Sequence, residues 1–98
     1  MGFSITFHRA ANAELIEAIE WYESKRAGLA IEFLAEIDRC VSLAAERPFQ
    51  FSIIYKDIRR IVTHRFPYSI YFRANTDRIV VLAVFHGSRK PTIWRART

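Results

Sequence analysis

Residues 68–86 read YSIYFRANTDRIVVLAVFH, and their pattern decides the fold. The first six alternate, with Tyr68, Ile70 and Phe72 on one face and Ser69, Tyr71 and Arg73 on the other, the period of a strand. Asn75-Thr76-Asp77 then supplies the short polar side chains that favour a tight turn. From Arg78 the chain is almost continuously apolar to Phe85, which is how a strand reads when both of its faces are covered. The stretch is therefore an antiparallel hairpin whose second strand lies at the centre of a sheet.

Upstream, "FSIIY" at 51–55 and "IRRIVTH" at 58–64 add shorter strands to the same sheet. Before them the period lengthens. Ala11, Leu15, Ala18, Ile19 and Tyr22 recur at helical spacing, with Glu14, Glu17, Glu20 and Glu23 on what reads as a solvated face. Gly28 supplies a stop, and Lys25 and Arg26 suit the negative end of the helix dipole. Leu34, Ile37, Val41 and Ala44 define a second helical face flanked by Phe33 and Cys40, and Arg47-Pro48 ends it. "FSITF", Phe3 to Phe7, opens the chain as a strand.

The expected fold is α+β, in the order β-α-α-β-β-β(-β), with a helical hairpin packed on one face of a small, mostly antiparallel sheet. A single domain over 1–98 is expected, because splitting so short a chain leaves pieces too small to bury cores. Little remains after Pro91 beyond a turn and a tail, so the second face of the sheet is expected to lie open to a partner. No 18-residue apolar run or signal-peptide pattern occurs, and the one cysteine, Cys40, reads as an inert core thiol. A cytoplasmic protein is expected.

The net charge of +5 is unevenly placed. Residues 1–46 carry a balance of −4 and residues 47–98 a balance of +9. Such polarity draws an acidic partner or a polyanion to one side. Zinc-ligand spacing, phosphate-binding glycine loops and a Gly-x-Ser-x-Gly elbow are all absent from the sequence. What remains is arginine, histidine and aromatics. Arg59, Arg60, Arg65, Arg73 and Arg89 lie on or beside successive strands, where guanidinium groups could grip phosphates. His86, at the exit of the expected central strand, carries an imidazole suited to general acid–base work. Tyr68, Tyr71 and Trp94 could stack on bases.

Each of these has a plainer reading. His86 could be a hydrogen-bonded strand end, Arg73 a partner of Asp77, and Trp94 a pin for the tail. Trp21, on the flank with Glu14 and Glu17, fits edge packing and partner contact equally. Composition alone stops at a basic α+β domain with an interaction surface.

Motifs carry the reading further. "EAIEWYE" closing the first helix, "GLAIEFLAEID" opening the second, "RP", the paired "RR", "FPYSIYFR" and "VLAVFHGSRKPTIW" together resemble the RelE/ParE superfamily of bacterial type II toxin–antitoxin toxins. The resemblance runs almost end to end. It implies a toxin neutralised by a small acidic antitoxin whose C-terminal helix and strand wrap it, with no metal or other cofactor and no membrane.

Two activities exist in the superfamily. RelE-like members are ribosome-dependent mRNA endonucleases, in which case His86, Arg89, Arg65 and Arg73 would be the catalytic candidates. ParE-like members poison DNA gyrase, and Arg59, Arg60, Tyr68, Tyr71, Trp94, Arg95 and Trp21 would then form target or antitoxin surface. The chain departs from the ribonuclease pattern. Tyr68 stands where RelE has a strand arginine, the lysine-rich stretch shrinks to Lys56, and Trp94 would replace a tyrosine without offering an ionisable hydroxyl. The resemblance therefore falls nearer the ParE-like side, with RelE-like cleavage and a non-toxic interaction module as the alternatives.

Overall fold

A computed structural model describes residues 2–98. Strand β1 (Ser4–Phe7) leads into helices α1 (Arg9–Lys25) and α2 (Leu29–Glu46). A single 3-10 turn at Pro48–Gln50 follows, then strands β2 (Ile53–Tyr55), β3 (Ile58–Val62), β4 (Tyr68–Ala74) and β5 (Arg78–His86), and finally a short helix α3 (Thr92–Arg95). The sheet order is β1-β5-β4-β3-β2. The chain thus leaves one edge, crosses a face as the helical hairpin, and meanders back from the far edge. Three reversals of direction bring β5 beside β1 as the one parallel pair, with Ser4 opposite Arg78 and Phe7 opposite Val81. The expected α+β order is the observed one, but the middle strand is β4; β5, expected at the centre, lies one place in from the β1 edge, because the parallel strand β1 is the only one beyond it.

A bulge sets which residues face which side. Tyr71 pairs with Ala83 but Phe72 pairs with Val81, so Leu82 is an extra residue in β5. Leu82 and Ala83 consequently both belong to the outer apolar cluster, while Val81 before them and Val84 after them belong to the helix-side core. Regular alternation through Leu82, without the bulge, would turn Val84 and His86 to the outer face.

The helices form where the apolar spacing placed them. Ala11 and Ala18 are buried on α1, and their small side chains let the helix lie close to the sheet. On α2 the core face runs through Phe33, Ile37, Cys40, Val41 and Ala44. Leu34 departs from expectation: it is 39% exposed, because the buried stripe is centred on Phe33 and Cys40 and not on Leu34. Tyr22 and Phe33 meet Phe66 and Tyr68 in an aromatic cluster with ring centroids 4.9–6.2 Å apart. Between the helices Gly28 adopts φ +88°, a left-handed conformation that side-chain-bearing residues rarely take. Glu23, expected to be merely solvated, accepts hydrogen bonds from the backbone N–H groups of Gly28 and Ala30. It caps the start of α2 from the end of α1.

The open second face expected from the sequence is largely covered. Ile58, Tyr71, Leu82, Ala83, Phe85 and Trp94 form a second apolar cluster there, with Ile54, Tyr55 and Val80 against it. The tail supplies the lid. The turn foreseen after Pro91 is α3, and it lowers Trp94 onto Tyr71 in a stack 4.2 Å between centroids. Trp94 is 1% exposed, and its indole N–H has no hydrogen-bond partner, a cost offset by the large apolar area it buries.

Candidate functional site

β1 is four residues long, whereas β5 has nine. Beyond Val81, whose carbonyl accepts from His8, the edge of β5 has no strand beside it. Two side chains take over that role. The backbone N–H of Val84 donates to Glu14 at 3.1 Å, and Arg97 donates to the Leu82 carbonyl at 2.9 Å. Glu14 also accepts two bonds from Arg97, at 2.8 and 3.0 Å, and one from Arg89 at 2.7 Å. One carboxylate thus ties α1 to β5, to the loop after it and to the C-terminal residues. Its side chain is 11% exposed and that of Arg97 13%.

This node forms one wall of a cleft of about 1020 Å³. Glu17, Trp21 and Tyr22 line the α1 side; Arg65, Phe66 and Tyr68 come from the approach to β4; His86, Ser88 and Arg89 come from the exit of β5. Phe66-Pro67 turns the chain so that Tyr68 enters β4 opposite His86, and their rings meet edge-on at 5.2 Å. Burial raises the Tyr68 phenol above its ordinary pKa, with the carboxylate of Glu17 adding to the effect. Trp21, 54% exposed, stands on the rim with the Lys25 ammonium 4.7 Å from its ring centroid.

His86 is held in one tautomer. The backbone N–H of Ser88 donates to its Nδ1 at 3.0 Å, and the Ser88 hydroxyl lies 2.8 Å from the same atom. A ring nitrogen that accepts a backbone N–H carries no proton, so the neutral imidazole bears its hydrogen on Nε2. It can donate from Nε2; it has no lone pair there with which to take a proton. The arginines are likewise engaged. Arg89 lies over the Phe85 ring at 4.5 Å as well as binding Glu14. Arg65, in a left-handed conformation at φ +69°, binds Glu32 at 2.8 Å and lies over Phe66. Glu32 is shared with Arg26, and the two guanidinium groups hold its carboxyl below the usual range.

The candidates from the sequence therefore fall into two groups. His86, Arg89, Arg65, Tyr68 and Trp21 come together in the cleft. Arg73 does not: it binds Asp57 of the β2–β3 turn at 2.8 Å, and not Asp77. Arg59 donates to the Phe51 carbonyl and lies over Phe49. Arg60 faces the outer side with its cross-strand neighbour Tyr71, where Trp94 and Arg95 also lie. The cleft's organising pair, Glu14 and Arg97, was missed. Glu14 was grouped with a solvated face although it lies three residues after Ala11 and four before Ala18, both buried; that spacing was the available signal. No cluster of three or more metal-ligating side chains occurs among the described residues.

Fold and cleft together define a small α+β protein built around a carboxylate-locked groove. Residues 5–91 match the family described as "ParE toxin of type II toxin-antitoxin system, parDE". The chain belongs to the ParE toxin family. Among solved structures it is similar to a chain of the chromosomal ParDE TA system from P. aeruginosa, with 20% identity and a TM-score of 0.75, over 86% of this chain and 95% of that one. At that identity the likeness concerns the fold. No curated protein sequence matches.

Proposed function

We propose that this protein is the toxin of a type II toxin–antitoxin module, neutralised by a cognate antitoxin, and that it acts by binding and poisoning DNA gyrase. Family membership supports the first part. The observation that favours the second over ribonuclease action is the state of the cleft. A metal-free ribonuclease needs a base with an open lone pair and cations free to meet the phosphate. Here the Nδ1 of His86 accepts from Ser88, and Arg89 and Arg65 are bound to Glu14 and Glu32. Such a cleft suits docking better than proton transfer. Its exposed Trp21 rim and apolar floor offer an antitoxin segment the surface it would cover.

Inducible expression without antitoxin separates the readings. Gyrase poisoning predicts cleaved DNA trapped with gyrase and intact mRNA. Codon-associated mRNA cuts, abolished by His86→Ala, would establish the ribonuclease instead, and unimpaired growth would point to an interaction module without toxicity.

A further inference from the structure

The basic charge of this chain is not where its cleft is. Arg65, Arg89 and Arg97 in the cleft are all bound to carboxylates. On the outer face of the sheet, Lys56, Arg60 and Arg95 make no ion pair among the described residues. They surround the second apolar cluster. Arg60 is exposed beside Tyr71, and Arg95 lies over the rings of Tyr55 and Trp94 at 4.9 and 5.6 Å. The Lys56 ammonium approaches the same Tyr55 ring at 5.3 Å. Two cations sharing one ring stand no further apart than about one Debye length at ~0.1 M salt, so they repel each other unless an anion joins them. Asp57, the acid nearest in sequence, is already bound to Arg73.

We infer that this outer face, through Lys56, Arg60 and Arg95, binds the phosphate backbone of duplex DNA without reading its sequence. Three features select that occupant. A docked peptide takes its affinity from apolar anchors in pockets, and the large cleft lies elsewhere, lined by none of these three residues. Single strands bind by stacking bases on open aromatic rings, but Tyr71 and Trp94 are buried against each other. What this face offers is separate cations fixed over a rigid sheet, which is what phosphates need. Gyrase works on duplex DNA, so the inference complements the proposed function; its test needs no gyrase.

The test measures anisotropy of the purified chain with two unrelated 30-base-pair duplexes across a range of salt. Three phosphate contacts predict a slope of log K on log[salt] near −2.7, hence about a 40-fold loss between 50 and 200 mM, equal for both duplexes. The variant Lys56→Asn/Arg60→Gln/Arg95→Gln should flatten the slope and abolish binding at 200 mM. Asparagine is chosen because Lys56 has φ +53°. A control, Arg9→Gln/Lys25→Gln/Arg47→Gln, removes the same charge elsewhere and should change affinity less than threefold. Circular dichroism establishes that both variants fold. Absence of binding at 50 mM salt overturns the inference. So does an unchanged slope in the outer-face variant, an equal loss in the control, or tighter binding of single strands or polyglutamate than of duplex. None of these outcomes bears on gyrase trapping, which is read separately in cells.

Discussion

Replacing Glu14 by alanine should loosen three parts of the molecule at once. The carboxylate accepts four hydrogen bonds, from Val84, Arg89 and twice from Arg97. Removing it strands the Val84 N–H, a loss of about 1 kcal/mol. It also leaves Arg97, 13% exposed, as a nearly buried cation without its counterion. Loss of one partner from a fully buried pair costs roughly 3–5 kcal/mol. Here the figure is smaller, since Arg97 keeps the Leu82 carbonyl and Arg89 can turn to water. A total of about 2–3 kcal/mol is expected, and for a chain of this size a fall in Tm of roughly 10–20 °C. Urea unfolding of wild type, Glu14→Ala, Arg97→Ala and the double variant gives the cycle, and the two sites should couple by at least about 1 kcal/mol. A loss under about 0.5 kcal/mol for Glu14→Ala, or strict additivity, would refute the node as described.

Trp94→Phe should cost about 1–2 kcal/mol by urea titration and Trp94→Ala about 3–5, whereas Trp21→Phe at the exposed rim should stay within about 0.5. Gly28→Ala meets no neighbour within 4 Å, so its cost is purely the left-handed backbone, about 1 kcal/mol, and Gly28→Asn should recover part of it. Arg39 and the backbone N–H of His64 hold the Glu36 carboxyl down to about 2. Its folded pKa lies below the unfolded value, so the stability it contributes is complete above about pH 4.5 and is lost as pH falls towards 2. Thermal melts from pH 6 to 2 should show that acid limb, and Glu36→Gln should flatten it.

The hairpin at 68–86, both long helices and the interior position of β5 were legible because each rests on a local period, though the middle of the sheet is β4. What stayed hidden depends on pairing across the sheet. The parallel contact of β1 follows from counting reversals, which no single segment displays. The extra residue Leu82 is invisible in a continuous apolar run, yet it decides that His86 faces the helices. The grouping of His86, Arg89, Tyr68 and Trp21 was partly legible, since strand exits and helix flanks meet at one end of such a fold. The carboxylates were not. Glu14, Glu23 and Glu36 look alike in sequence, but one binds a strand edge, one caps a helix and one anchors the loop before β4.

The shortness of β1 has a consequence for how this molecule behaves among its copies. An interior strand that outlasts its edge neighbour exposes unpaired backbone, and such an edge invites another chain to add itself as a strand. In this protein the vulnerable stretch is occupied by an ion pair and not by more sheet. Side chains can be drawn away by a competing charge in a way that a paired strand cannot. The same two residues that hold the fold closed thereby also occupy the backbone groups of β5 on which a further strand could add.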